Sequence, residues 1–129
     1  MAKFAHDDVL SAVPAYVADN CKRITICSDQ PTTYAEGNAT YALADVTTTE
    51  GSGNGDFTVA NGNTSGRMLT VASQASIPVD TSGTATHIAF LDVDNSKLLY
   101  VTTCTSQALT SGNTVTIPEV DIAEVLDPS

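Results

Sequence analysis

Tryptophan is absent from this 129-residue chain, and aromatic side chains make up only 5 % of it. A core must therefore be filled by Val, Ile, Leu, Ala and Thr, which pack best on a pleated surface. Basic side chains are nearly as scarce. Lys3, Lys22, Arg23, Arg67 and Lys97 stand against 15 acidic residues, for a net charge of -10, and only Lys22 and Arg23 adjoin. Nucleic-acid binding needs a group of cations to displace phosphate counterions, so no nucleic acid is expected as a partner. The same charge disfavours anionic membranes. No apolar run approaches the length of a membrane span, and the opening MAKFAHDDVL lacks the apolar centre of a secretion signal. The expected site of synthesis is a cytoplasm.

Cysteine is also sparse and odd in number. Cys21, Cys27 and Cys104 match no zinc or redox spacing, so three reduced thiols are expected, with Cys27 and Cys104 buried on strands as small apolar groups. Asp92, Asp94 and Ser96 in DVDNSK have the alternate spacing that opens a calcium loop, but the loop glycine and the distant glutamate are missing. A hairpin turn is the better reading. His87 lies among apolar neighbours in THIAFLDV, where a hydrogen-bonded structural imidazole is expected. His6 beside Asp7 and Asp8 is read as solvated. Glu119, Asp121 and Glu124 alternate with Val120, Ile122 and Val125 as the wet face of an edge strand. No nucleophile elbow, phosphate loop or HExxH motif is present. The expectation is a protein without catalytic residues, metal or cofactor.

What is there reads mainly as strand. A length of 129 residues supports one core, and a single domain over 1–129 is expected: an arm over 1–6, a helix over 7–20 and a β domain over 23–125. The helix rests on Val9, Leu10, Val13, Tyr16 and Val17 at helical spacing, with Asp7 or Asp8 as cap and a distortion at Pro14. KRITICS is a strand by alternation, and DFTVAN another before the turn at Asn61-Gly62. The tract near 47–56, TTTEGSGNGD, reads as a mobile surface loop. RMLTVASQ, TATHIAFLDV, KLLYVTTC and NTVTIPEVDI are four β runs separated by turn residues, spaced as in an antiparallel sandwich or barrel-like domain. Apolar residues on both faces of TATHIAFLDV place that strand centrally. The two-residue rhythm slips at Pro118-Glu119, which predicts a bulge or bend.

PTTYAEGNATYALADV, GDFTVANGNTSGRMLTVASQ and TATHIAFLDVDNSKLLYVTTCTSQALTSGNTVTIP resemble a family of small virion proteins of tailed bacteriophages, over nearly the whole chain. The resemblance implies a structural protein. Its most plausible role is a head decoration or cement protein, a dimer or trimer bound to the major capsid protein on the outside of the capsid, and it brings no catalytic residues. A host-surface or glycan-binding module and a tail or connector component are the alternatives. Within such a role the N-terminal arm is the expected contact, through Lys3, Phe4 and His6.

Overall fold

A computed structural model describes residues 5–126. The chain is mainly β, in antiparallel sheets, with short helices near the N-terminus and no closed barrel among the described residues. In chain order the elements are α1 (Asp7–Leu10), α2 (Ala12–Asn20), β1 (Arg23–Cys27), a π-helical turn (Glu36–Thr40), β2 (Ala42–Thr47), β3 (Phe57–Asn61), β4 (Arg67–Val71), β5 (Gln74–Pro78), β6 (Gly83–Asp92), β7 (Lys97–Leu109), β8 (Thr114–Ile117) and β9 (Val120–Val125). They divide into two compact units, each assembled from segments far apart in sequence.

The first unit joins the N-terminal helices, 49–73 and the segment from Glu119 onward. Its sheet has the order β3-β4-β9, and α2 packs on all three strands. The single helix expected over 7–20 is interrupted at Ser11. Pro14 has no N–H for the carbonyl of Leu10, and its ring crowds that carbonyl, so the chain turns there. The Ser11 N–H donates to the Asp7 carbonyl and the Ala15 N–H to that of Ser11, both at 2.7 Å. Pro14 thereby falls in the first turn of α2, where a missing donor costs little. The Gly-rich tract makes hydrogen bonds to its surroundings. The Gly51 N–H donates to the Ala18 carbonyl (2.7 Å), a group at the helix end with no helical partner. Asp56 Oδ2 accepts from the Thr49 N–H (2.7 Å) and Ser52 Oγ from that of Val59 (2.9 Å). Gly51, Gly53 and Gly55 all have positive φ, a conformation open to glycine at little cost.

The second unit comprises Cys21–Thr48 and Gln74–Pro118. It holds the sheet β2-β1-β6-β7 and the pair β5-β8, and Ala44 of β2 bridges to Val79 just beyond β5. β6 lies between β1 and β7, as its apolar faces predict, and Ala89, Phe90 and Leu91 expose no surface. One face of the sheet carries Ile24, Ile26, Ile88 and Phe90. The other carries Thr25, Cys27, His87, Ala89 and Leu91. Gly37 of the π turn lies over this second face, where a Cβ would stand 3.3 Å from Leu91 and 3.4 Å from Leu98.

Three sequence boundaries move. β2 was hidden among the Pro and Gly breaks of 28–47 and becomes a strand by pairing with β1 from Arg23↔Thr47 to Cys27↔Ala42. RMLTVASQ is two strands rather than one: β4 pairs in one sheet and β5 in another. The slip at Pro118-Glu119 is likewise a change of sheet, from the β5-β8 pair to β3-β4-β9. Pro118 cannot donate to a ladder, and Val115, Ile117 and Ile122 are all buried while Val120 is half-buried.

Candidate functional site

The β1–β6 register sets Cys27 directly opposite His87, a pairing that no spacing in the sequence reveals. Both groups are committed to structure. Cys27 is fully buried; its Sγ donates to the Gly37 carbonyl (3.7 Å) and lies 3.5 Å from Thr25 Oγ1, which itself donates to that carbonyl at 2.7 Å. His87 Nδ1 and Thr86 Oγ1 are 2.9 Å apart. Burial pushes the Cys27 thiol up. Burial pushes Cys21 up to about 11 against the opposing hydrogen bonds of Thr48, Leu91 and Arg23. Cys104, expected to be buried, is half-buried on β7, and desolvation raises its thiol too. A thiol held protonated at neutral pH is a weak nucleophile.

All three cysteines are free. Cys21 and Cys27 stand at the two ends of the extended β1 segment, about 20 Å apart at strand rise, whereas a disulfide needs Cα atoms within about 7 Å. A small alkylating reagent is expected to label Cys104 first, with Cys21 and Cys27 reacting only on unfolding and three thiols titrating in denaturant. Peptide-level mass spectrometry checks the order. Labelling of Cys21 in step with Cys104 would contradict its burial.

Asp92, Asp94 and Ser96 build the β6–β7 turn. Asp92 is 2 % exposed and accepts from Asn95 twice, from Nδ2 at 2.9 Å and from the backbone N–H at 3.1 Å. Asp94 Oδ2 pairs with Lys22 Nζ at 2.6 Å, and Ser96 takes φ 55°. The Asn95 side-chain hydrogen bond, then its backbone N–H and the charge of Lys97, hold the Asp92 carboxyl below the usual carboxylate range against partial desolvation. A carboxylate whose folded pKa is depressed stabilises the fold above its unfolded value of about 3.9, and that stability is lost as pH falls through the folded value. The stability gap between the wild type and Asp92→Asn is therefore expected to be full at pH 7 and to shrink as the pH drops below about 4. Urea unfolding at both pH values measures it; a gap independent of pH would show that the charge is not what the turn holds.

His6 sits at the start of α1. Its backbone is extended and its Nδ1 accepts from the Asp8 N–H at 3.0 Å, so the side chain caps the helix while remaining exposed. Lys3 and Phe4 lie outside the described residues. Of the exposed carboxylates along the β9 segment, Asp121 accepts from Thr70 Oγ1 (2.9 Å) and Asn63 Nδ2 (3.2 Å), and Glu124 from the Thr64 N–H (3.2 Å). They hold the β3–β4 loop and β4. No group of three or more His, Cys, Asp or Glu among the described residues is placed to bind a metal ion.

The surface feature that sequence reasoning missed is on the helices. Val9, Leu10, Val13, Tyr16 and Val17, which recur at helical spacing, do not share one inward face. Instead Leu10, Pro14, Val17 and Ala18 are buried, whereas Val9, Val13 and Tyr16 are 66 %, 53 % and 49 % exposed. The signal was available: the segment has two apolar lines, Leu10-Pro14-Val17 and Val9-Val13-Tyr16, each at i, i+4, i+7, and only one can face the sheet. Asp8 and Asp19 flank the outer line and are exposed. Against known proteins, the chain matches no protein-family model, no curated protein and no solved structure.

Proposed function

We propose that the chain is a non-enzymatic structural protein of a phage virion, a decoration or cement protein that binds the major capsid protein on the capsid exterior as a dimer or trimer. The observation that carries this reading is the β6–β7 hairpin. It lies almost wholly within the longest of the three stretches on which the resemblance rests, and its polar groups are used to fix geometry: Asp92 on Asn95, His87 on Thr86, and Lys22 of β1's approach on Asp94. A part that reinforces a lattice needs a stiff scaffold and a complementary surface, and its affinity comes from many copies engaging at once. The glycan-binding alternative draws less support. Tyr34 and Tyr41 pack on Cys27, Ala89 and Leu91, and Tyr100 lies edge-on to Phe90, which leaves Tyr16 as the one broadly exposed ring among the described residues.

Quantitative mass spectrometry of purified virions tests the reading. A copy number equal to, or a simple fraction of, the major capsid protein is expected. A handful of copies per particle would make the chain a tail or connector component, and its absence from particles would end the virion assignment.

A further inference from the structure

We infer that the outer face of α1 and α2 is a docking surface for a protein that offers an apolar groove edged by lysine or arginine. Four large apolar residues among those described are broadly exposed: Val9, Val13, Tyr16 and Leu126. Three of the four follow one another at i, i+4 and i+7, Val9 on α1 and Val13 and Tyr16 on α2. Apolar side chains scattered singly over a surface are ordinary, but three exposed at helical spacing on a segment whose other apolar line is already buried mark a second contact. The row has a shape as well as a composition. Exposed Ala12 beside Val13 lets another backbone come close, and Tyr16 supplies a large, stiff ring of the kind that anchors interfaces.

Charge decides among the possible occupants. Residues 7–20 contain Asp7, Asp8 and Asp19 and no basic residue, all three are exposed, and the chain as a whole carries -10. A second copy laid antiparallel on this face would set Asp8 against Asp19 at both ends of the row, with like charges meeting as the apolar residues join. An anionic membrane would be repelled in the same way. A groove with a cationic rim instead lets the row bury itself while Asp19 and Asp8, whose carboxylate lies 3.6 Å from His6 Nδ1, meet its cations, and it draws the acidic protein in from a distance. The inference stands on the helix face and does not depend on the virion reading: a capsid subunit is one protein that could present such a groove.

The full chain, labelled with nitrogen-15, is titrated with a synthetic amphipathic helical peptide of leucine and lysine and with its leucine and glutamate counterpart, and binding is mapped by NMR. The lysine peptide is expected to shift resonances of residues 8–20 selectively and the glutamate peptide to leave them unmoved. Val9→Ser/Val13→Ser keeps every charge, and it is expected to bind the lysine peptide roughly tenfold more weakly with its melting temperature unchanged. Val13→Lys, which opposes a cationic rim directly, is expected to lose binding altogether, and Asp8→Asn/Asp19→Asn to bind more weakly with less dependence on salt. Equal binding by the serine variant would overturn the inference, because attraction would then come from net charge alone. So would a dimer of the free chain, seen by sedimentation equilibrium and abolished in Val13→Lys, or binding to phosphatidylcholine vesicles that the serine variant loses. The first would make the face a self-interface and the second a lipid contact.

Discussion

Replacing Phe90 with alanine is expected to lower the unfolding free energy by about 3–5 kcal/mol, a large share of the roughly 5–15 kcal/mol that holds a domain together. Phe90 exposes no surface. On β6 it stands between its cross-strand partners Ile24 of β1 and Tyr100 of β7, and its ring meets that of Tyr100 edge to face at 6.2 Å and 66°. Loss of the ring pair adds about 0.5–1.5 kcal/mol to the transfer and cavity costs. Phe90→Leu keeps most of the volume and is expected to cost under about 1.5 kcal/mol, and Val9→Ala, at an exposed position, no more than about 0.5 kcal/mol. Urea midpoints at constant slope rank the three variants. A Phe90→Ala midpoint close to that of Val9→Ala would contradict the packing described.

Gly66→Ala is expected to cost about 3 kcal/mol or more, although the position lies in a turn near the surface. Gly66 closes the β3–β4 loop, with its carbonyl accepting from the Gly62 N–H at 2.8 Å. Its φ of 71° is strained for any residue with a Cβ, at about 1–2 kcal/mol. The larger part comes from what the Cβ would strike: the carbonyl of Val125, on β9, whose ladder partner Arg67 follows Gly66 directly. Because the obstacle is backbone, the methyl enters only if β4 and β9 part. Gly112→Ala isolates the conformational component. Gly112 has φ 93° and open space around the same point, so its cost is expected to stay within about 1–2 kcal/mol. Equal losses for the two alanine variants in parallel urea titrations would mean that β9 does not run against Gly66.

The same pair of glycines illustrates where local reading stops. Both were legible as turn residues from GNTSG and LTSG, since turns near 180° between strands demand residues that tolerate positive φ. Which of them could accept a methyl depended on a strand more than fifty residues away. The candidate surface behaves alike. The helical repeat of Val9, Val13 and Tyr16 was visible, but their direction was not, because a helix with two apolar lines does not say which one a sheet will cover.

What the sequence determined by itself was therefore local and periodic. The central place of β6 followed from apolar residues on both of its faces. A distortion in the N-terminal helix followed from a proline that withholds one N–H, and the Asp92–Ser96 turn from short polar side chains able to bond their own backbone. The tertiary structure alone decided what depends on partners distant in the chain. β2 exists because β1 supplies its ladder, and the two runs read as single strands part company because β4 and β9 pair in one sheet while β5 and β8 pair in another. Cys27 faces His87 because of a register set by strands sixty residues apart. The reason is common to all of these: a strand satisfies its backbone only through another segment, whereas a turn or a helix closes its hydrogen bonds within a few residues of itself.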